Sequence, residues 1–421
     1  MKKNCIVAQS GGPTSAINAS LCGVITGSLE NENFETCYGA LNGITGVISS
    51  NYINLTEMAA IPGFLDKLYV TPAMFLGSCR YKLPADFTDE VYSKIFDELH
   101  KLNIGAFFYI GGNDSMDTIS KLSGYAKLHD EKINFVGIPK TIDNDLCETD
   151  HTPGFGSAAK YIAATVREIT YDTFIYPVKS VTIIEIMGRD AGWLTAASAL
   201  ARRNPGDAPH FIYLPEKPFN IVSFLDNIRD ELTRRNNVIV TVSEGIRDVE
   251  GRYICEYTPA ELSEYISTGF NSAKEKNHNT ADIFGNTHLS GVGKVLETLV
   301  KEELKIKTRS IEINVLQRCA AHMASATDLA ESKKQGAYGI KLATENKSGV
   351  MVTLKRVSNA PYETKCDYAE ISKIANEAKS VPNSWITPDG HDITQELKDY
   401  ILPLIQGEVS ITYHNGLPEF C

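Results

Sequence analysis

No stretch of the chain approaches the roughly 20 apolar residues needed to span a bilayer, so no transmembrane helix is expected. Charged residues make up 22% and fall in no block of like sign, which argues against intrinsic disorder. The nine cysteines, scattered from Cys5 to Cys421, form no C-x-x-C pair, and their odd count fits a reducing cytosol better than a disulfide framework. Met1–Val7 enters a strand-like run at once and offers no apolar stretch long enough for a signal peptide, so the expected location is cytoplasmic. Positive charge is also in short supply. A formal net charge of -11 would repel nucleic acid and anionic membrane alike, and neither is expected as a partner. An anionic small substrate is still compatible, provided a few Lys and Arg converge locally.

What remains is a chain able to bury a large core. At 421 residues and 43% hydrophobic, its length alone suggests two or three lobes. Short apolar, β-branched runs predict strands over Asn4–Gln9, Ala106–Ile110, Asn134–Ile138, Ser180–Ile186, His210–Leu214, Val238–Val242, Ser310–Val315 and Gly349–Leu354. They are continuous rather than alternating, as in parallel strands covered on both faces. Helical patterns lie between them, over Gly156–Tyr171, Asp190–Arg203, Phe219–Arg235, Val292–Glu303 and Cys319–Ser332. This alternation predicts right-handed βαβ units in a layered α/β fold, with ligands beyond the carboxyl ends of the strands. Two polar stretches, Asn51–Thr88 and Glu250–Thr287, are expected to be mostly surface. The last forty residues read as an irregular extension.

Three strand ends carry suggestive residues. The first runs into Ser10-Gly11-Gly12-Pro13, where paired glycines let backbone N–H groups approach a phosphate at a helix N-terminus. A tight structural turn explains that motif equally well. A second glycine turn, Gly111-Gly112-Asn113-Asp114-Ser115, repeats the design. Asp114 is unusual beside a phosphate because the charges repel, although Asp114 or Ser115 as a helix N-cap would account for it. The third is Pro139-Lys140-Thr141-Ile142-Asp143-Asn144-Asp145, which gathers a cation, a hydroxyl and two carboxylates directly after a strand. If extended, it projects Asp143 and Asp145 from one side, one as base and the other orienting a cation, while Lys140 neutralises a transferring phosphoryl group. Downstream, Met187-Gly188-Arg189 and Ser243-Glu244-Gly245 follow strands, and Arg309 and Arg318 bracket another. Guanidinium groups suit bidentate phosphate contacts, and Glu244 suits sugar hydroxyls.

In this order, from Gln9 to about Leu354, these signatures resemble the phosphofructokinase family, most specifically at Thr141–Asp145 and Met187–Arg189. The resemblance implies two similar Rossmann-like α/β lobes with mostly parallel sheets and an active site in the cleft between them. Residues 1–155 with 318–375 would form the phosphoryl-donor lobe, and 156–317 with 376–421 the sugar-phosphate lobe. It further implies Asp143 as the base acting on the 1-hydroxyl of fructose 6-phosphate, with Thr141 and Ile142 beside it. Met187, Gly188, Arg189 and Glu244 would bind the sugar. Arg309, Gln317 and Arg318 would take its 6-phosphate, and Gly11, Gly12 and Arg80 the donor phosphates. Asp114 and Lys140 are similar to the pyrophosphate-dependent branch, in which the carboxylate occupies the space of an ATP α-phosphate and the lysine supplies charge to a donor lacking a nucleotide. Fructose 6-phosphate and pyrophosphate are therefore the expected substrates, Mg²⁺ the expected cofactor, and a homo-oligomer, a dimer, the expected assembly.

The chain departs from the family pattern in three places. Asn113 replaces the family's magnesium-associated Asp and is a weaker ligand for a hard cation. The Arg that reaches a neighbouring subunit's site is absent, with Lys179 nearby as a substitute. Asn314 and Val315 stand where many members have Gly-His or Gly-Tyr. Alternatives left open are an ATP-dependent 6-phosphofructokinase and a non-catalytic regulatory subunit. A Rossmann oxidoreductase is disfavoured because the glycine turns lack its spacing.

Overall fold

The computed structural model describes residues 2–258, 261, 262, 266, 291–374 and 378–421. The chain forms two compact units. One comprises Met1–Ala158, Arg318–Lys379 and Pro403–Cys421, the other Ala159–Gln317 and Ser380–Leu402. Among the described residues no helix is long and apolar enough to cross a membrane.

The first unit is built on a seven-stranded sheet of β1 (Lys3–Gln9), β2 (Phe34–Ala40), β3 (Tyr52–Asn54), β4 (Ile104–Gly111), β5 (Asn134–Pro139), β10 (Val350–Asn359) and β11 (Tyr362–Glu370). Their order is β11-β10-β5-β4-β1-β2-β3. The central pairs β10–β5, β5–β4, β4–β1 and β1–β2 are parallel. Side chains of β4 show why its sequence is continuously apolar. Phe107 and Tyr109 enter one buried cluster, while Ala106, Phe108 and Ile110 enter another. Register aligns the strand ends: Gln9 pairs with Ile110, and Gly111 with Pro139. The three motifs after β1, β4 and β5 therefore emerge side by side.

The second unit holds β6 (Ser180–Ile186), β7 (Phe211–Tyr213), β8 (Asn237–Ser243) and β9 (Lys307–Glu312), all parallel in the order β7-β8-β6-β9. Ile186 pairs with Ser243, so the Met187 and Glu244 turns leave the sheet together.

Several expectations need correction. The strand predicted over Ser310–Val315 stops at Glu312, because Asn314 adopts a left-handed φ of 46° and opens a 3-10 turn. The helix predicted over Cys319–Ser332 starts at Ala326, where the Ser325 side chain accepts the Asp328 N–H as a cap, and it continues to Thr344. Asp190–Arg203 contains only the helix Trp193–Ala197 and a 3-10 turn, Ser198–Ala201. The polar stretch from Asn51 contributes Leu55, Phe64, Leu68 and Leu76 to the core. Most of Glu250–Thr287 lies outside the described residues. The last forty residues are not a loose extension: Ile386, Ile393, Leu397 and Ile401 are buried in the second unit and Leu404 in the first.

Candidate active site

The donor-side residues of the first unit converge on Lys140. Gly11 takes φ +86°, a conformation that side-chain-bearing residues rarely adopt, and a Cβ there would stand 3.0 Å from the Lys140 Nζ. The Ser10 hydroxyl donates to the Cys79 carbonyl at 3.0 Å, and the Ser78 hydroxyl to the Gly11 carbonyl at 3.0 Å. Residues 78–79 are thus fastened to the glycine turn, which brings exposed Arg80 to its edge. Lys140 itself is 2% exposed. Its main-chain N–H donates to the Gly111 carbonyl at 2.9 Å and its ammonium to the Gly12 carbonyl, so it ties both glycine turns together. Burial pushes the lysine down to about 8, against the opposing pull of Asp143 and Asp145, with Arg318 adding to the depression. The Arg318 Nη1 lies 3.6 Å from where a Gly12 Cβ would stand, and its Nε is buried without a partner.

Neither Asp114 nor Ser115 is the helix cap. The helix Asn113–Leu128 is capped by Gly112, which has no side chain to offer. Asp114 instead sits in the first turn, its side chain 58% exposed, with Lys82 Nζ 3.5 Å from its Oδ1. An exposed pair at that distance contributes at most about 1 kcal/mol, so it leaves the carboxylate available to whatever approaches the turn. The Asn113 Oδ1 is buried and has no hydrogen-bond partner. An orphaned carboxamide oxygen at a phosphate-type turn fits a hard cation that takes most of its ligands from phosphate and water. Among the described residues no cluster of three or more His, Cys, Asp or Glu side chains offers a dedicated metal cage.

The loop after β5 does not take the extended form under which Asp143 and Asp145 would share one side. Asn144 adopts φ 55° and is fully buried, so the chain turns between the two carboxylates. Thr141 and Asp143 clasp each other: the Thr141 hydroxyl donates to the Asp143 Oδ2 at 3.2 Å and accepts the Asp143 N–H at 3.1 Å. Ile142 is buried beneath them. Loss of hydration, with the nearby Asp143 charge, pushes Asp145 up to about 7. The two carboxylates thus have different tasks open to them.

In the second unit, Met187, Gly188, Arg189 and Glu244 come together. The Gly188 N–H donates to the Glu244 Oε1 at 3.2 Å, the Glu244 N–H donates to the Ile186 carbonyl at 2.9 Å, and the Ser243 hydroxyl donates to the Gly188 carbonyl. Gly188 has φ +138°, and a Cβ would meet the Ala191 carbonyl oxygen at 2.6 Å. Gly245 lies against the Arg189 main chain, where a Cβ would come within 1.8 Å of its oxygen. Arg309 does not join this group. It pairs with Thr182, well before the end of β6, and its guanidinium donates to Asp172 at 2.7 Å and to the Thr173 hydroxyl at 2.8 Å. Lys179 is exposed at the start of β6. Gln317 lies in the 3-10 turn Asn314–Arg318, donating to the Asn314 carbonyl at 2.8 Å with its Oε1 buried and unpartnered.

Sequence reasoning missed Lys379. Its main-chain N–H donates to the Asp145 carbonyl at 2.8 Å, and its ammonium to the Asp150 carbonyl at 2.7 Å. The side-chain bond spans 229 positions, and no local pattern marks such a residue.

The family described as Phosphofructokinase matches residues 4–343. The chain is 38% identical, over 99% of its length and 95% of the relative's, to the pyrophosphate–fructose 6-phosphate 1-phosphotransferase of Xanthomonas campestris pv. campestris. Among solved structures it is similar to the pyrophosphate-dependent phosphofructokinase of Marinobacter aquaeolei, with TM-score 0.84, 34% identity, and coverage of 99% of this chain and 95% of that one. The enzyme of the same description from Nitrosospira multiformis gives TM-score 0.86 and 33% identity, with coverage of 100% and 96%.

Proposed function

The chain belongs to the phosphofructokinase family, and we infer that it transfers a phosphoryl group from pyrophosphate to the 1-hydroxyl of fructose 6-phosphate. The products are fructose 1,6-bisphosphate and phosphate, and the reaction is reversible. The observation that carries the donor assignment is the pairing of Asp114 with Lys140 around two glycine turns. Lys140 is fixed between the Gly12 and Gly111 carbonyls, where its charge meets the phosphates of a donor that has no nucleotide to hold. Asp114, exposed at the helix start, repels the additional phosphate that ATP would bring there.

Asp143 is the base. The Thr141 hydroxyl bonded to its Oδ2 fixes the carboxylate, which takes the proton as the 1-hydroxyl oxygen attacks phosphorus. Lys140 supplies positive charge as the phosphoryl group passes between oxygens, and the glycine turns add backbone N–H groups. Gly11, Gly12 and Arg80 hold the donor phosphates. Met187, Gly188, Arg189 and Glu244 bind the sugar, and Gln317 and Arg318 take its 6-phosphate. Mg²⁺, when bound, would supply charge neutralisation to the donor phosphates, and Asn113 is the residue that would hold it.

We assign the protein to the cytoplasm and to a homodimer. Arg309 stands apart from the other sugar-side residues, bonded to Asp172 and Thr173 of a segment in which Tyr171, Ile175 and Tyr176 are 65%, 63% and 59% exposed. Exposed aromatic and aliphatic side chains around an arginine fit a face that a second copy covers, with Arg309 serving the copy's 6-phosphate. Phosphorus NMR of purified protein with fructose 6-phosphate and pyrophosphate tests the reaction. A new sugar phosphate ester at C1 together with orthophosphate is expected; pyrophosphate that stays intact sinks the assignment.

A further inference from the structure

The loop that carries Asp143 has an anchor that lies far away in sequence. Its continuation, residues 144–150, contains two non-glycine residues in the left-handed region, Asn144 at φ 55° and Glu148 at φ 64°. Such conformations persist only where surrounding contacts over-determine them. Ala378 and Lys379 supply several of those contacts. Ala378 forms a bridge with Leu146, and the Lys379 N–H donates to the Asp145 carbonyl at 2.8 Å. The Lys379 ammonium reaches the Asp150 carbonyl at 2.7 Å, the Thr149 carbonyl at 3.1 Å and the Asn144 Oδ1 at 3.4 Å. Three oxygens match the three donors of an ammonium. Two of them are main-chain atoms, so the lysine fixes the path of the backbone.

Other groups also hold the loop. Asn144 Oδ1 also accepts the Thr152 N–H at 3.1 Å, and the Asp150 carboxylate is bonded to His151 at 2.8 Å and to Arg356 at 3.0 Å. Lys379 joins the start of this loop (Asn144, Asp145) to its end (Thr149, Asp150), where Leu354 and Arg356 also hold the chain. Asp143 precedes the first anchored residue by one peptide.

We propose that Lys379 is a positioning residue for phosphoryl transfer: by binding Asn144, Asp145, Thr149 and Asp150 it holds the loop that presents Asp143 to the attacking hydroxyl. The inference rests on the function proposed above. Lys379 binds the loop through its ammonium and main-chain N–H, so its loss is expected to act on the geometry of the base rather than on binding. Displacement of a reacting group by about 1 Å costs up to roughly 100-fold in rate.

The test is steady-state kinetics of Lys379→Ala and Lys379→Arg beside wild type, with pyrophosphate and fructose 6-phosphate varied in turn and folding followed by thermal melting. Wild type must first show the pyrophosphate reaction; its absence refutes the proposed function and not this role. With wild type active, Lys379→Ala is expected to lose about 10- to 100-fold in kcat, with both KM values within about threefold. Added ethylammonium should restore part of that kcat in a saturable manner, a response that a purely structural lysine would not give. Lys379→Arg keeps the charge but not the three-oxygen geometry, and is expected to fall between the two. A folded Lys379→Ala with kcat within about twofold of wild type overturns the proposal. So does failure of both variants to fold, which would assign Lys379 to stability alone.

Discussion

At the scale of single residues, neighbours that share one small volume divide the labour. Asp143 stays tied to the Thr141 hydroxyl, whereas Asp145 is pushed up to about 7 by lost hydration and by its neighbour's charge. Asp143→Ser is expected to lower kcat by several orders of magnitude while the KM for fructose 6-phosphate changes little, the signature of a lost base. Retained turnover in that variant would remove Asp143 from its role. Lys140 yields a prediction in pH. With burial holding it near 8, the free enzyme loses the lysine charge as pH rises through that value. The profile of kcat/KM should therefore fall on the alkaline side near pH 8, where buried Lys379 also loses its charge, and Lys140→Met should be slow at every pH and keep only the part of that limb that Lys379 supplies. An unchanged alkaline limb in the methionine variant would assign the titration to another group.

At the scale of elements, the parallel strands were legible because each carries a run of apolar residues that both faces bury, as Ala106–Ile110 does. β11 was not, because Glu363 and Lys365 face solvent while their neighbours are partly buried, and among the described residues it pairs only with the antiparallel β10. The catalytic loop was legible in composition but not in shape. Asn144 turns the chain by adopting φ 55°, and the groups that stabilise that turn, Thr152 and Lys379, have no periodic relation to it. Likewise, nothing local shows that His151 is 2% exposed between two acids, with Nδ1 2.8 Å from Asp150 and Nε2 2.8 Å from Glu331. Burial opposes its charging, yet the bonds to Asp150 and Glu331 overcome this and raise it to about 9. The sign follows from the unfolded value near 6.5. The imidazolium's contribution, on the order of 3 kcal/mol, is complete below about pH 6.5 and lost as pH rises through about 9. Thermal melts of His151→Gln and wild type should differ most near pH 6 and converge above pH 9. A gap that widens with pH would contradict the charged network.

At the scale of the whole molecule, a net charge of -11 coexists with a function that binds two polyanions. Local cations reconcile the two: Lys140 and Arg318 gather at one set of strand ends, and Arg189 follows the end of β6. The same scale decides assembly. Tyr171, Ile175 and Tyr176 are exposed near the Asp172 and Thr173 partners of Arg309, and the proposed dimer would cover them. Light scattering should give a dimer for wild type. Ile175→Asp should shift the chain towards monomer and raise the KM for fructose 6-phosphate well above any change for pyrophosphate. A variant that stays dimeric with an unaltered KM would detach Arg309 from sugar binding.

The donor is the central claim, and a side-by-side assay tests it most directly. The rate of fructose 1,6-bisphosphate formation would be measured for the purified chain with pyrophosphate and with ATP, and again for Asp114→Gly. Wild type should use pyrophosphate with a kcat/KM at least about 1,000-fold above that for ATP, and the glycine variant should narrow the ratio by admitting ATP. A wild-type chain that turns over faster with ATP would contradict the reading of Asp114 and Lys140 outright.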